Sequence, residues 1–226
     1  MHKNIITMKP NLFIVLLCLF SFFETNAQTE KCNLEKSSYS ELSTVDVEKT
    51  ICLAQNSDKD ITVFFTYADW CSPCKKKFPE AIKLSEEYNV NFYVLLMESE
   101  SDNFSISRAI FTINSYNKQL KTVIISDSLY SAKNLKYVNK KRLIEIQGAR
   151  HREKYTNYLT QITPPEFENM NDMSKFIVIN KKGEVLLVTN YKDSKNAEGK
   201  DDDSVCFQKI IKAIETSRMM NKGADK

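Results

Sequence analysis

Two cysteines separated by two residues form the part of this sequence best suited to chemistry. Cys71-Ser72-Pro73-Cys74 follows an apolar run and opens a stretch with helical periodicity. Two sulfurs at this spacing can close a small disulfide ring. A cysteine at a helix N-terminus has a lowered thiol pKa, because unpaired N–H groups and the helix dipole stabilise its thiolate. The pattern predicts thiol–disulfide exchange, with Cys71 as nucleophile and Cys74 as resolving thiol.

The surroundings of this motif leave three other interpretations open. Pro73 would stiffen the turn and Trp70 would cover the sulfurs. The cysteines could instead be half of a zinc site, a purely structural bridge or an inactive relic. A zinc site would need a second Cys-x-x-Cys or a suitably spaced Cys/His pair, and His151 is the only histidine beyond the first residues. We therefore predict neither a metal nor a cofactor.

The N-terminus is typical of a secretory leader. Basic residues precede an unbroken apolar run from Leu12 to Phe20, and Ala27 ends a small-residue cleavage pattern. The run is too short for an ordinary membrane span, although a retained anchor is the alternative. We predict a signal peptide at 1–27, a mature protein that begins at Gln28, and a periplasmic or extracellular location.

Charge and length exclude some classes of partner. Without the leader the chain keeps 30 of its 32 basic and 28 of its 29 acidic residues, a net charge of +2. This value is too near neutral to indicate nucleic acid as a partner. Roughly 200 residues suit one domain with an insertion.

Alternating apolar and amphipathic stretches predict an α/β fold. The expected elements are a helix at 41–55, a strand at Ile61–Tyr67, a helix from the motif to about Tyr88, a strand at Asn91–Met97, a helix at Phe104–Leu120, a strand at Thr122–Ser126, a helix to Val138, a hairpin of Lys175–Asn180 and Glu184–Thr189 turning at Gly183, and a last helix capped by Ser204. This order predicts a mixed sheet, parallel at its start and antiparallel in the hairpin, with flanking helices.

The motif and the hairpin together resemble a known superfamily. Ala68–Lys75, with Pro79 five residues after the second cysteine, resembles the active site and kinked helix of thioredoxin-like proteins. Lys175–Val185 is similar to their late hairpin, and Thr122–Ser126 resembles an extra segment of the exported TlpA-like branch. The resemblance covers most of residues 41–220. It implies a thioredoxin-like fold, protein thiol or disulfide substrates and an upstream electron donor.

Three segments of the chain lie outside the elements predicted above. We expect a flexible N-terminal segment at 28–40, an insertion at about 139–172 that is partly helical from 150 to 161, and a tail at 221–226. Eight basic residues between 133 and 154 could face an acidic partner or a membrane surface, with a solvated surface as the alternative. They are Lys133, Lys136, Lys140, Lys141, Arg142, Arg150, Arg152 and Lys154.

One departure from the superfamily concerns the substrate-binding loop. The family's cis-proline would fall on Ser174 or Lys175, and neither is proline. The bonds before them should be trans, since a cis bond to another residue type costs about 3 kcal/mol. This departure predicts a slow reductase, or one specialised for a partner held by the insertion.

A second departure concerns proton transfer at the buried thiol. Phe65 and Lys77 occupy the positions where relatives carry an acidic or amide group, and Glu80 is interpreted as a solvated residue. The proton acceptor is therefore not identified. Lys75, Lys76 and Lys77 would favour a Cys71 thiolate or form a solvated basic face.

Three further cysteines follow the leader. Cys32 is the candidate for an exposed thiol. If the resemblance holds, the helices that carry Cys52 and Cys206 lie on opposite faces of the sheet, so we expect two small buried side chains and no bridge between them.

These features predict an exported thiol–disulfide oxidoreductase that reduces or isomerises protein disulfides. Oxidase behaviour is a further variant of this function. The alternative is a thioredoxin-fold binding module with little turnover, which uses its basic insertion to hold a partner.

Overall fold

A six-stranded mixed sheet forms the centre of the protein in the computed structural model, which describes residues 31–37, 40–127, 153–170 and 172–224. The strands are β1 (Ser43–Val45), β2 (Ile61–Tyr67), β3 (Asn91–Leu96), β4 (Lys121–Ile125), β5 (Phe176–Asn180) and β6 (Val185–Val188). The helices are α1 (Val47–Gln55), α2 (Ser72–Glu87), α3 (Asn103–Tyr116), α4 (153–162) and α5 (Asp203–Ala224), with a 3-10 turn at Tyr191–Ser194.

The strand order is β1-β4-β3-β2-β5-β6. The first four of these are mutually parallel, and β5 pairs antiparallel with both β2 and β6. All seven residues of β2 are buried, as expected for an apolar, β-branched and aromatic run at the centre of a sheet. The predicted fold class, a central mixed sheet with flanking helices, is confirmed.

Aromatic contacts fix two helices against one face of this sheet. The ring of Phe65 on β2 lies 5.9 Å from that of Phe78 on α2 and 4.7 Å from that of Phe176 on β5. Phe176 in turn meets Phe207 of α5 edge-on at 5.5 Å. The helix that begins at the cysteine motif is thereby held over the centre of the sheet.

The hairpin turn requires glycine. Gly183 has a φ of +86°, and a Cβ there would lie 2.6 Å from the side chain of Gln55. The positive φ strains any residue that has a Cβ, and the side chains of Ile51 and Gln55 on α1 would have to move to make room for it.

Two predictions of local structure are wrong. Residues 43–45 form a strand instead of the start of a helix, because they pair with β4, and Asp46 then caps α1 by accepting the N–H of Lys49 at 2.7 Å. The last helix begins at Asp203, before Ser204, and Asp202 accepts the N–H of Ser204 at 3.0 Å. Acidic side chains thus take both capping positions.

Several predictions lie outside the described residues. They are the signal peptide at 1–27, the helix to Val138 and residues 139–152 of the insertion with most of its basic residues. The described end of the insertion contains α4, close to the predicted helix at 150–161. Within the described ranges, no helix has the length and apolar character needed to cross a membrane.

The N-terminal cysteines correct another prediction. Cys32 is not an exposed thiol and Cys52 is not a free side chain, because they form a disulfide with Cα atoms 5.8 Å apart. The N–H of Ser37 bonds to the carbonyl of Leu42 at 2.8 Å, which holds the same segment against the sheet. Cys206 is free and buried, as predicted, and burial raises the pKa of its thiol.

Removal of this disulfide should destabilise the fold. In a Cys71→Ser/Cys74→Ser background, the further pair Cys32→Ser/Cys52→Ser should lower the free energy of unfolding by about 3 kcal/mol, because the bridge closes a loop of roughly 20 residues. Urea unfolding of the oxidised proteins measures the difference. Equal stability of the two proteins would contradict a structural role for the bridge.

Candidate active site

The Cys71–Cys74 pair lies where a buried strand passes into a helix. After β2 the chain makes a tight turn, in which the N–H of Cys71 bonds to the carbonyl of Ala68 at 3.0 Å. Cys71 is the N-cap of α2, and its Sγ accepts the N–H of Cys74 at 3.1 Å. The two cysteines form a disulfide with Cα atoms 5.2 Å apart. Pro73 occupies the first turn of the helix, where no N–H donor is needed.

The two cysteines differ slightly in exposure. Cys71 retains 3% exposure whereas Cys74 has none. Ser72 and Pro73 are exposed, and Trp70 is 57% exposed beside them.

Asp69 holds the loop that leads to the cysteines. It is 6% exposed, and its two carboxylate oxygens lie 3.3 Å from Lys75 Nζ and 3.0 Å from Arg108 Nε. These cations come from α2 and α3, so the ion pairs join the loop to two helices. The backbone N–H of Asp69 donates a 2.6 Å hydrogen bond to Glu98 Oε1.

Glu98 is a candidate functional residue that the sequence reasoning missed. It follows β3, the parallel neighbour of β2, and its side chain is fully buried. Burial raises its pKa to about 7. Its Oε2 is buried without a hydrogen-bond partner among the described residues. The sequence offered one signal for Glu98, which is its position directly after a predicted strand. Adjacent parallel strands end at the same edge of a sheet, so Glu98 and the cysteine motif belong to the same edge.

Lys154 is part of the same buried region. Its Nζ donates to the carbonyls of Glu98 at 2.6 Å and Ile125 at 3.0 Å, and to Asp127 Oδ1 at 2.6 Å. Burial lowers its pKa, opposed by Asp127. The prediction of a solvated or partner-facing residue is wrong for Lys154, because it ties α4 to the ends of β3 and β4. The other seven basic residues of the predicted cluster lie outside the described residues.

The lysines after the motif do not form one solvated face. Lys75 and Lys76 are exposed, but Lys77 is 7% exposed, donates to Ser194 Oγ at 2.8 Å and lies 3.6 Å from Asp203 Oδ1. The Lys77 side chain points inward because the Ser194 hydroxyl and the Asp203 carboxylate, both from the C-terminal part of the chain, bind its ammonium group there. Glu80 is solvent-exposed as predicted. Pro79 lies inside α2 and is exposed.

Ser174 and Lys175 lie in the loop before β5. No cis peptide bond occurs in the described ranges, so the bonds before both residues are trans as predicted. Ser174 has a φ of +60°, and Lys175 donates its backbone N–H to Thr66 Oγ1 at 2.8 Å. Lys175 Nζ, also buried, binds Asp172 Oδ1 at 2.6 Å.

This loop cannot accept a proline at either position. Proline requires a φ near −65° and has no N–H to donate. Ser174 violates the first condition and Lys175 the second.

A cavity of about 350 Å³ joins this loop to the motif. It is lined by Ser72 and Pro73 of α2, by Ser174, and by Tyr191 of the 3-10 turn. Its charged lining consists of Lys76, Lys77, Asp172, Asp201 and Asp203. The structure therefore brings Ser174 and the cysteine motif to one cleft.

Burial of Glu98 predicts a pH-dependent stability. Its folded pKa of about 7 exceeds the ordinary 4.5, so the unfolded chain releases this proton first. The contribution of Glu98 to the free energy of unfolding is constant below about pH 4.5 and falls by up to about 3 kcal/mol as the pH rises to 7. Glu98→Gln should remove this fall, measured by urea unfolding at pH 4.5 and 8. Glu100→Gln, in the same loop, should retain it, and a fall of wild-type size in Glu98→Gln would contradict the assignment.

The sequence matches no protein-family model and no curated protein. Among solved structures it is similar to a secreted Mycobacterium tuberculosis disulfide oxidoreductase homologous to E. coli DsbE, with 11% identity and a TM-score of 0.37 over 70% of this chain and 81% of that one. It is similar to a thio-disulfide isomerase from Thermus thermophilus, with 15% identity and a TM-score of 0.37 over 70% and 82%. Tryparedoxin I from Crithidia fasciculata has 13% identity and a TM-score of 0.32 over 71% and 85%. The first two of these proteins are described as a disulfide oxidoreductase and a thio-disulfide isomerase.

Proposed function

We propose that the protein is an exported thiol–disulfide oxidoreductase that reduces or isomerises protein disulfides through Cys71 and Cys74. The observation that carries the proposal is the placement of this disulfide at the first turn of α2, with Cys71 as N-cap. This position supplies what a dithiol enzyme needs: two sulfurs in bonding distance, one of them beside unpaired helix N–H groups.

The roles of the two sulfurs follow from their surroundings. In the reduced protein, the Cys71 thiolate is stabilised by the N–H of Cys74 and by the positive end of α2. It attacks a substrate disulfide and forms a mixed disulfide. Cys74 has no solvent exposure, so its thiol can react only with the mixed disulfide that has already formed on Cys71. Its attack on that bond releases the reduced substrate and restores the Cys71–Cys74 disulfide. An upstream dithiol donor then returns two electrons.

The cleft beside the motif gives a substrate segment room to bind. The exposed residues Ser72 and Pro73 line it together with Ser174, and the exposed Trp70 directly precedes the motif in the chain. Lys175 positions this loop through its bonds to Thr66 and Asp172, while Pro79 belongs to the helix that carries the cysteines. We assign these residues supporting roles.

Export accounts for the persistence of two disulfides. Disulfides form and persist outside the reducing cytoplasm. The apolar run at 12–20 and the pattern ending at Ala27 supply the leader that export requires.

The leader predicts the mature N-terminus. Sequencing of the protein from the secreted or periplasmic fraction should begin at Gln28, because cleavage follows Ala27. Protein from that fraction that still carries Met1 would contradict removal of the leader.

The assignment of the sulfurs predicts the effect of three variants. Cys71→Ser should reduce insulin reduction to the uncatalysed background, because the attacking thiolate is lost. Cys74→Ser should accumulate a mixed disulfide on Cys71, detectable by mass spectrometry of non-reduced protein. The control Cys32→Ser/Cys52→Ser removes the other bridge and should keep the wild-type rate. A wild-type rate no faster than that of Cys71→Ser would instead favour a binding module with little turnover.

A further inference from the structure

The dithiol lacks a proton acceptor at the positions where its relatives carry one. Phe65, six residues before Cys71, is fully buried against the rings of Phe78 and Phe176. Lys77, three residues after Cys74, is a cation held by Ser194 and Asp203. Since a buried thiol must lose its proton before it can attack, another group has to serve this step.

Glu98 approaches the loop that carries the cysteines. Its Oε1 lies 2.6 Å from the N–H of Asp69. Asp69 precedes Cys71 by two residues, a separation that spans at most about 7 Å even in an extended chain. Asp69 itself is already paired with Lys75 and Arg108, so its carboxylate is committed to two cations.

The second carboxylate oxygen of Glu98 accepts no hydrogen bond from the described residues. Oε2 is buried and unpartnered among the described residues, an arrangement that costs free energy and calls for an explanation. Glutamine could accept the same hydrogen bond from Asp69 through its own Oε1. What glutamine could not do is exchange a proton.

The neighbouring charges leave Glu98 free to titrate. Lys154 of α4 bonds to the backbone carbonyl of Glu98 while its charge is matched by Asp127. Glu100 accepts the N–H of Asp127 at 2.8 Å. Burial raises the pKa of Tyr67 on β2 to about 12, so this phenol stays neutral. Burial likewise places the pKa of Glu98 near 7, in the range where a proton can move in both directions.

We propose that Glu98 takes up a proton when the Cys71–Cys74 disulfide is reduced and returns it when the disulfide re-forms. This inference rests on the proposed function and adds to it the group that exchanges the proton.

The electrons and protons of the cycle balance. A donor dithiol supplies two electrons and two protons, which leave Cys71 as a thiolate, Cys74 as a thiol and Glu98 as a neutral acid. Cys71 attacks the substrate disulfide, the S–S bond breaks, and the departing sulfur takes the proton of Glu98. The ionised Glu98 then accepts the proton of Cys74. The Cys74 thiolate attacks Cys71 Sγ, and the second substrate sulfur leaves with that proton.

The coupling is tested by the equilibrium with glutathione as a function of pH. Wild-type protein, Glu98→Gln, Glu98→Asp and Glu100→Gln are equilibrated in glutathione buffers from pH 5 to 9, and the fraction of reduced Cys71–Cys74 is read by mass spectrometry. Above pH 7 the wild-type equilibrium constant for reduction should fall up to roughly tenfold per pH unit more steeply than that of Glu98→Gln, because one additional proton is bound on reduction. Glu98→Asp should restore the steeper dependence, and Glu100→Gln should retain it. Circular dichroism of each variant verifies folding.

Insulin reduction provides the kinetic test. Glu98→Gln should slow it on the order of 100-fold at pH 7, while Glu100→Gln should not. An unchanged pH dependence in Glu98→Gln, or an equal loss of it in Glu100→Gln, would overturn the proposal for Glu98. The glutathione equilibrium requires no turnover. Wild-type protein that shows the coupling but does not reduce insulin would therefore refute the proposed function alone.

Discussion

The junction between β2 and α2 is the constraint on which the rest of the structure depends. A fully buried strand ends at Tyr67, and four residues later Cys71 caps a helix that packs over the same strand. The cap places one sulfur on helix N–H groups, and the first turn places the second sulfur beneath it. Strand pairing on both sides of β2 fixes this junction, because β3 and β5 leave the strand no freedom to shift in register.

Ion pairs with at least one buried member secure the loops around this junction. They are Asp69 with Lys75 and Arg108, Lys154 with Asp127, Lys175 with Asp172, and Lys77 with Asp203. Such pairs add little net stability, but loss of one partner leaves a buried charge that costs several kcal/mol. Their physical effect is therefore to fix the position of the loops and helices that they join. Glu98 stands apart from this set because its carboxylate forms no ion pair in the described structure.

The sequence allowed the strands near the site to be predicted, because apolar runs such as Ile61–Tyr67 leave few alternatives. The helix start at Cys71 was predictable for the same reason, since a turn and a proline follow such a run. The Cys32–Cys52 bridge was not, because spacing alone does not decide how an odd set of cysteines pairs. The inward course of Lys77 and Lys154 depends on carboxylates supplied by distant parts of the chain. The role of Glu98 was also not predictable, because its pKa is raised by burial and the sequence alone does not show that this side chain is buried.

The proposal that Cys71 is the reactive member of the pair is tested by the order in which the reduced thiols are alkylated. Reduced protein is treated briefly with iodoacetamide at pH 6, quenched, and mapped by mass spectrometry of peptides that separate Cys71 from Cys74. We expect Cys71 to be labelled first, because the start of α2 stabilises its thiolate while Cys74 has no solvent exposure. Equal labelling of the two thiols, or earlier labelling of Cys74, would contradict it.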